Sequence, residues 1–175
     1  MSRHLALNTV DWMLLSCLMF LSQMQGEDSQ KELPSPWISC SMGSKAYHSD
    51  CYALVMTPKS YQADLACQKR HYGHLVSILP GAETSFVSSM VNDRVNNYQD
   101  IWIGLRDPTM GQEPNGYGWE WRDSVVLNNF NWDGNPSYVV NCGHCGTLRA
   151  TSGFLKWGDH HCDGQLPFVC KFKEK

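Results

Sequence analysis

The sequence predicts an α+β domain: two helices packed on small, mainly antiparallel sheets, with long ordered loops. Three observations predict it. The first half of the chain carries helical stripes. The second half carries short strand-like runs separated by Gly/Pro/Asn-rich stretches. Cysteines are frequent enough to staple those loops together. The helical stripes come together and the strand-like runs come after them, so the order is not a run of βαβ units.

The first segment stands apart from the domain. Arg3 and His4 precede "WMLLSCLMFL", residues 12–21, a largely apolar run. It is short of the roughly 20 residues a membrane-spanning helix needs and matches the core of a secretory leader. Cleavage is expected after Gly26, making residues 1–26 a signal peptide. A buried helix starting at residue 11 is the alternative; the polar flanks and the missing polar helical face count against it. Residues 27–39, "EDSQKELPSPWIS", read as an acidic, flexible lead-in and a possible propeptide. The domain then runs over residues 40–175, a length that suits one ordinary domain. No second long apolar run is found, so no transmembrane segment is expected and the product is expected to be secreted and extracellular.

Within the domain, "SYQADLACQKR", residues 60–70, comes after Pro58 and reads as the first helix. Ser60 is placed to cap it, with Leu65 and Cys67 on or near the buried side. "GAETSFVSSMVNDRV", residues 81–95, aligns Phe86, Val87, Met90 and Val91 in a second helical stripe. "DIWIGL", ending at Leu105, reads as a buried strand. The loop "RDPTMGQEPNGYG" is next, then "WEW", "NNFNWDGNPS" and "GFLKW". "LPFVCKF" closes the chain as a period-two strand.

Several functions are excluded early. A formal net charge of −3 gives no global basic field, so nucleic acid is not an expected partner. No Ser-His-Asp order or paired-carboxylate spacing stands out, so the chain does not read as a hydrolase. Cys142-Gly143-His144-Cys145 spells the tetrapeptide of a thiol–disulfide exchanger. That chemistry needs a helix leaving the motif to lower the thiol pKa, and "TLRATSGFLKWG" shows no helical stripe. Eight cysteines less Cys17 in the leader leaves seven. Seven is odd, so at most three bridges form within one chain.

The motifs "WIGL" at 102–105, "EPN" at 113–115, "GWEW" at 118–121 and the final Cys-x₇-Cys at 162–170 resemble those of C-type lectin-like domains. "GSKAY", "DLACQKR", "HLVSIL", "SFVSS" and "LPFVCKF" are similar to the regenerating islet-derived, Reg III (pancreatitis-associated) family. "DIWIGL" and "KWGDHHC" lean towards its delta branch. The resemblance implies bridges Cys40–Cys51, Cys67–Cys170 and Cys145–Cys162. Cys142 is left unpaired, either as a free thiol or as the link of a dimer.

The same resemblance implies a non-enzymatic secreted protein that binds glycans, such as peptidoglycan or mannan, in mucosal or antimicrobial defence. Glu113 and Asn115 are the expected contacts, with Pro114 shaping the loop and Asp159 behind it. A carboxylate beside an amide can accept from and donate to vicinal hydroxyls. The bare triplet also reads as an ordinary turn. Calcium-dependent relatives complete their site with Trp-Asn-Asp. Here the segment reads Trp157-Gly158-Asp159, which removes one oxygen ligand, so calcium is not expected to be required and glycan binding is expected without it. Zinc is carried over through Glu120 and His144; Arg106 stands where relatives often carry histidine, and Asp50 where some do. His160 and His161, adjacent in a strand, point to opposite faces and do not share a metal.

Most tryptophans are assigned to the core. Trp37-Ile38 stands where antimicrobial relatives carry an Arg-Ile cleavage site, so trypsin-like activation is expected to be missing. The alternative function is a hormone-like regenerative signal acting on an exostosin-like cell-surface receptor, with "IWIGLRDPTMGQEPN" as the candidate contact.

Overall fold

The computed structural model describes residues 38–95, 99–113, 117–134, 136 and 143–175. The expected leader, most of the lead-in, Pro114, Asn115 and Cys142 lie outside the described residues. The order is β1 (Lys45–Tyr47), β2 (Asp50–Lys59), a 3₁₀ turn (Tyr61–Ala63), α1 (Asp64–Cys67), β3 (His74–Leu75), α2 (Ala82–Asn92) and β4 (Ile101–Arg106). Then come β5 (Glu120–Trp121), β6 (Cys145–Leu148), a 3₁₀ turn (Ala150–Ser152), β7 (Trp157–His160) and β8 (Leu166–Phe172).

The strands join in one sheet of order β1-β2-β8-β4-β6-β7, with β3 on β8 and β5 on β4. All pairings are antiparallel except β4 with β8, which meet in parallel at Trp102 and Phe168. The expected α+β class holds, as one mixed sheet rather than separate small ones. β8 shows why "LPFVCKF" misleads slightly. It lies between β2 and β4, so six of its seven residues are buried and its period-two pattern does not appear as alternating burial.

α2 forms where the stripe predicts it, trimmed at both ends. Val87, Met90 and Val91 enter the main core, and Phe86 stacks on Tyr47 with centroids 4.8 Å apart. The first helix departs from expectation. It is a 3₁₀ turn leading into a single α-helical turn, Ser60 makes no side-chain cap, and Leu65 is 58% exposed. Asp64 explains the rotation. Its buried carboxylate accepts from Leu75 N at 2.8 Å, Gln68 Nε2 at 2.7 Å and Arg122 Nη2 at 3.0 Å. Satisfying that charge turns Asp64 inward, and its helical neighbour Leu65 outward.

Three disulfides close the framework: Cys40–Cys51, Cys67–Cys170 and Cys145–Cys162. Each contributes roughly 2–4 kcal/mol, with the long 67–170 loop at the upper end on the chain-entropy account. A buried polar knot adds to them. Glu83, in the first turn of α2, accepts from the Tyr52 hydroxyl, from Lys171 Nζ at 2.8 Å and from Leu79 N at 2.7 Å.

Candidate functional site

β4 leaves the core at Arg106, and the next residue builds the loop. The Asp107 side chain is buried and accepts from Thr109 N and Gly111 N, each at 2.8 Å, and from Thr109 Oγ1 at 2.5 Å. This is an Asx-type turn: a short carboxylate satisfies the backbone donors two and four residues on. Its own N–H donates to His144 O at 2.9 Å, tying the turn to the segment before β6. Gly118 closes the loop from the other side. A Cβ built there would overlap Asp107 Oδ1 and Thr109 Oγ1, so no side chain fits. Glu113 comes just after this anchored turn and is exposed. Its partners in the triplet, Pro114 and Asn115, lie outside the described residues.

Asp159 sits on β7 opposite Gly146 of β6, with its side chain mostly buried. Arg149 Nη2 approaches its Oδ1 at 3.5 Å. Gly158, where calcium-dependent lectins place asparagine, is overlain by Arg149, whose Nε a Cβ at 158 would displace. Calcium needs about six to eight oxygen ligands. At this position a glycine supplies no side-chain oxygen and a cation already covers it. The residues present do not fit calcium.

Glu120, on β5, lies opposite Arg106 of β4, and His144, just before β6, lines the same cleft as Arg106. The Glu120 carboxylate is held by Arg106 through Nη2 at 2.8 Å and Nε at 3.1 Å. His144 Nδ1 lies 3.8 Å from Asp107 Oδ2, and its buried Nε2 has no hydrogen-bond partner among the described residues. Among the described residues no group of three His, Cys, Asp or Glu side chains is placed to hold a metal. The His160 ring lies edge-on to Trp102 and donates through Nδ1 to His161 O at 3.0 Å. Beside Arg106 opens a cleft of about 590 Å³, lined by Tyr61, Asp64, Arg122 and His144 among others.

Known proteins share this fold. The Lectin C-type domain model matches residues 57–172. Regenerating islet-derived protein 3-alpha of Mus musculus is 73% identical over 172 residues, covering 98% of this chain and 98% of that protein. The chain belongs to the regenerating islet-derived family of C-type lectin-like proteins. Regenerating islet-derived protein 3-gamma of Homo sapiens is 62% identical over 97% of this chain and 98% of that protein. The solved structure of human lithostathine superposes with a TM-score of 0.69 at 35% identity, covering 77% of this chain and all of that one. The family is one of lectin-like proteins, not enzymes, and Cys145, bonded to Cys162, is a structural half-cystine.

Within this family frame, other sequence expectations find their places. Trp102, Trp119, Trp121 and Trp157 are buried, and Trp132 lies partly buried against Trp119 and Trp157. Of "IWIGLRDPTMGQEPN", residues Ile101 to Leu105 and Asp107 are buried, so among the described residues that stretch offers a partner Arg106 and residues 108–113. Two residues escape a reading of the sequence. Tyr117, 71% exposed, presents a ring close along the chain to Glu113. Arg149 is hidden because positions 158 and 159, though near in sequence, meet it only once β6 and β7 pair. Among the described residues no helix is long and apolar enough to cross a membrane.

Proposed function

We propose that this regenerating islet-derived protein is a secreted, calcium-independent lectin of mucosal defence, whose Glu113 loop binds glycans such as peptidoglycan or mannan. The leader over residues 1–26 directs secretion, and the acidic lead-in over 27–39 stays attached because Trp37, not a basic residue, directly precedes Ile38, with Lys31 the only nearby basic site. The observation that carries the reading is the exposed Glu113 carboxylate, delivered by a turn that Asp107 fixes from inside. Glu113 accepts hydroxyl hydrogens, Asn115 supplies the paired amide, and the exposed Tyr117 ring offers an apolar face to a pyranose. One shallow site binds a single sugar weakly, and a polymer raises capture by avidity. Zinc through Glu120 and His144 is not needed by this reading.

The test is a pull-down on insoluble peptidoglycan, comparing wild type with Glu113→Gln. Loss of capture in the variant, with capture by wild type unchanged in chelator, is the expected result. Equal capture by both proteins would remove Glu113 from the binding role. Proliferative activity retained in that case would favour the signalling alternative.

A further inference from the structure

Gly158, where calcium-dependent lectins place asparagine, is covered by an arginine of the chain itself. The Arg149 guanidinium reaches two carboxylates at once, Asp159 Oδ1 from Nη2 at 3.5 Å and Asp100 Oδ2 from Nη1 at 3.7 Å. Both carboxylate side chains are only 16% exposed, and that of Arg149 is 34% exposed. Asp100 is held further by Ala150 N at 2.9 Å and Thr147 Oγ1 at 3.2 Å. Two largely buried carboxylates converge on one place only where a positive charge compensates them.

The glycine is the other half of the device. A Cβ on Gly158 would overlap Arg149 Nε and would stand 2.6 Å from Arg149 Cδ, so the arginine lies directly on the glycine backbone. Any side chain at 158 must push the guanidinium away. Arg149 Nε, buried here, has no hydrogen-bond partner among the described residues. That is the cost of laying the side chain across a strand rather than out in water.

We propose that Arg149 is a built-in cation that takes over charge compensation of Asp159, and that Gly158 is the opening that admits it. Positions 149 and 158 are therefore a coupled pair. The glycine at 158 and the guanidinium lying over it act together, not separately. The proposal deepens the calcium-independent reading above. It concerns the protein without glycan, so its test is independent of whether Glu113 binds sugar.

The experiment is a double-mutant cycle over Arg149→Ala and Gly158→Asn, read by thermal unfolding in millimolar calcium and in chelator. Wild type should melt at the same temperature in both. Each single variant should melt several degrees lower, one because two largely buried carboxylates lose the guanidinium beside them and the other through the clash. The double variant should melt clearly higher than the summed losses predict, because the clash disappears with the arginine. Should Gly158→Asn not fold, Gly158→Ala in both Arg149 backgrounds asks the same question with a smaller group. Additive losses around the cycle, or a wild-type melting temperature raised by calcium, would overturn the proposal.

Discussion

Glu83 and Glu113 carry the same side chain and are used in opposite ways. Glu83 is 6% exposed and surrounded: a tyrosine hydroxyl, an ammonium and a backbone N–H all donate to it. Glu113 stands in solvent after a turn whose rigidity comes from another carboxylate, Asp107. The contrast separates two uses of a carboxylate in this protein. A carboxylate that is fully satisfied inside the protein stabilises α2 against β2 and β8 and has nothing left for a ligand. A carboxylate left in water contributes little to stability and keeps its lone pairs for hydroxyl groups.

The largest break in that comparison comes from removing the inner carboxylate. Glu83→Ala strands the Lys171 ammonium and the Tyr52 hydroxyl in a partly buried site. The expected loss is about 3 kcal/mol, the low end for a broken buried pair because Lys171 keeps some contact with water. Urea denaturation measures it; a loss under about 1 kcal/mol would mean that the knot relaxes into solvent.

Asp107→Ala tests the step between the two glutamates. Three acceptor bonds vanish and the Thr109 and Gly111 N–H groups lose their partner. A cost of about 2 kcal/mol is expected from unsatisfied donors. Peptidoglycan capture should fall as well, although Asp107 is buried, because the loop that presents Glu113 loses its anchor. Unchanged capture would show that the loop holds its shape by other means.

The contrast also marks how far a sequence can be read. Val87, Met90 and Val91 are legible because helical period is a local property. The buried run Ile101–Leu105 is legible for the same reason. Leu65 is misread because its outward turn depends on Asp64 meeting Leu75 N and Arg122, partners 11 and 58 residues away. Glu83 draws no notice in a polar-looking first turn, since nothing local pairs it with Lys171, 88 residues on. The site divides in the same manner. Glu113 and Gly158 can be read from short motifs, whereas Arg149 over Gly158 requires two strands to be brought side by side.

The inner knot should also respond to alkali. Burial, with help from the neighbouring Glu83, pushes the Tyr52 hydroxyl well above the ordinary tyrosine range. Burial does the same to Tyr61, whose hydroxyl donates to Leu105 O at 3.0 Å. The folded state therefore keeps protons that the unfolded chain releases above pH of about 10. Stability from this source is complete below that pH and is lost as pH rises beyond it. Tyr52→Phe removes the hydroxyl and its linkage together. Its deficit against wild type, about 1 kcal/mol at neutral pH, should shrink as pH rises past about 10. A gap that stays constant with pH would mean that Tyr52 ionises without leaving the fold.

The smallest stability effect belongs to Glu113→Gln, and it is the one that separates the two glutamates. The amide keeps the shape of the carboxylate and removes only its charge. At an exposed position outside the hydrogen-bond knot, the change in unfolding free energy should stay within about 0.5 kcal/mol. Glycan capture by the same protein should nevertheless be lost, since the amide presents one acceptor oxygen where the carboxylate presents two. A variant that unfolds like wild type and no longer binds places Glu113 on the ligand side of the comparison. A variant that loses stability in step with binding would place it beside Glu83, as part of the scaffold.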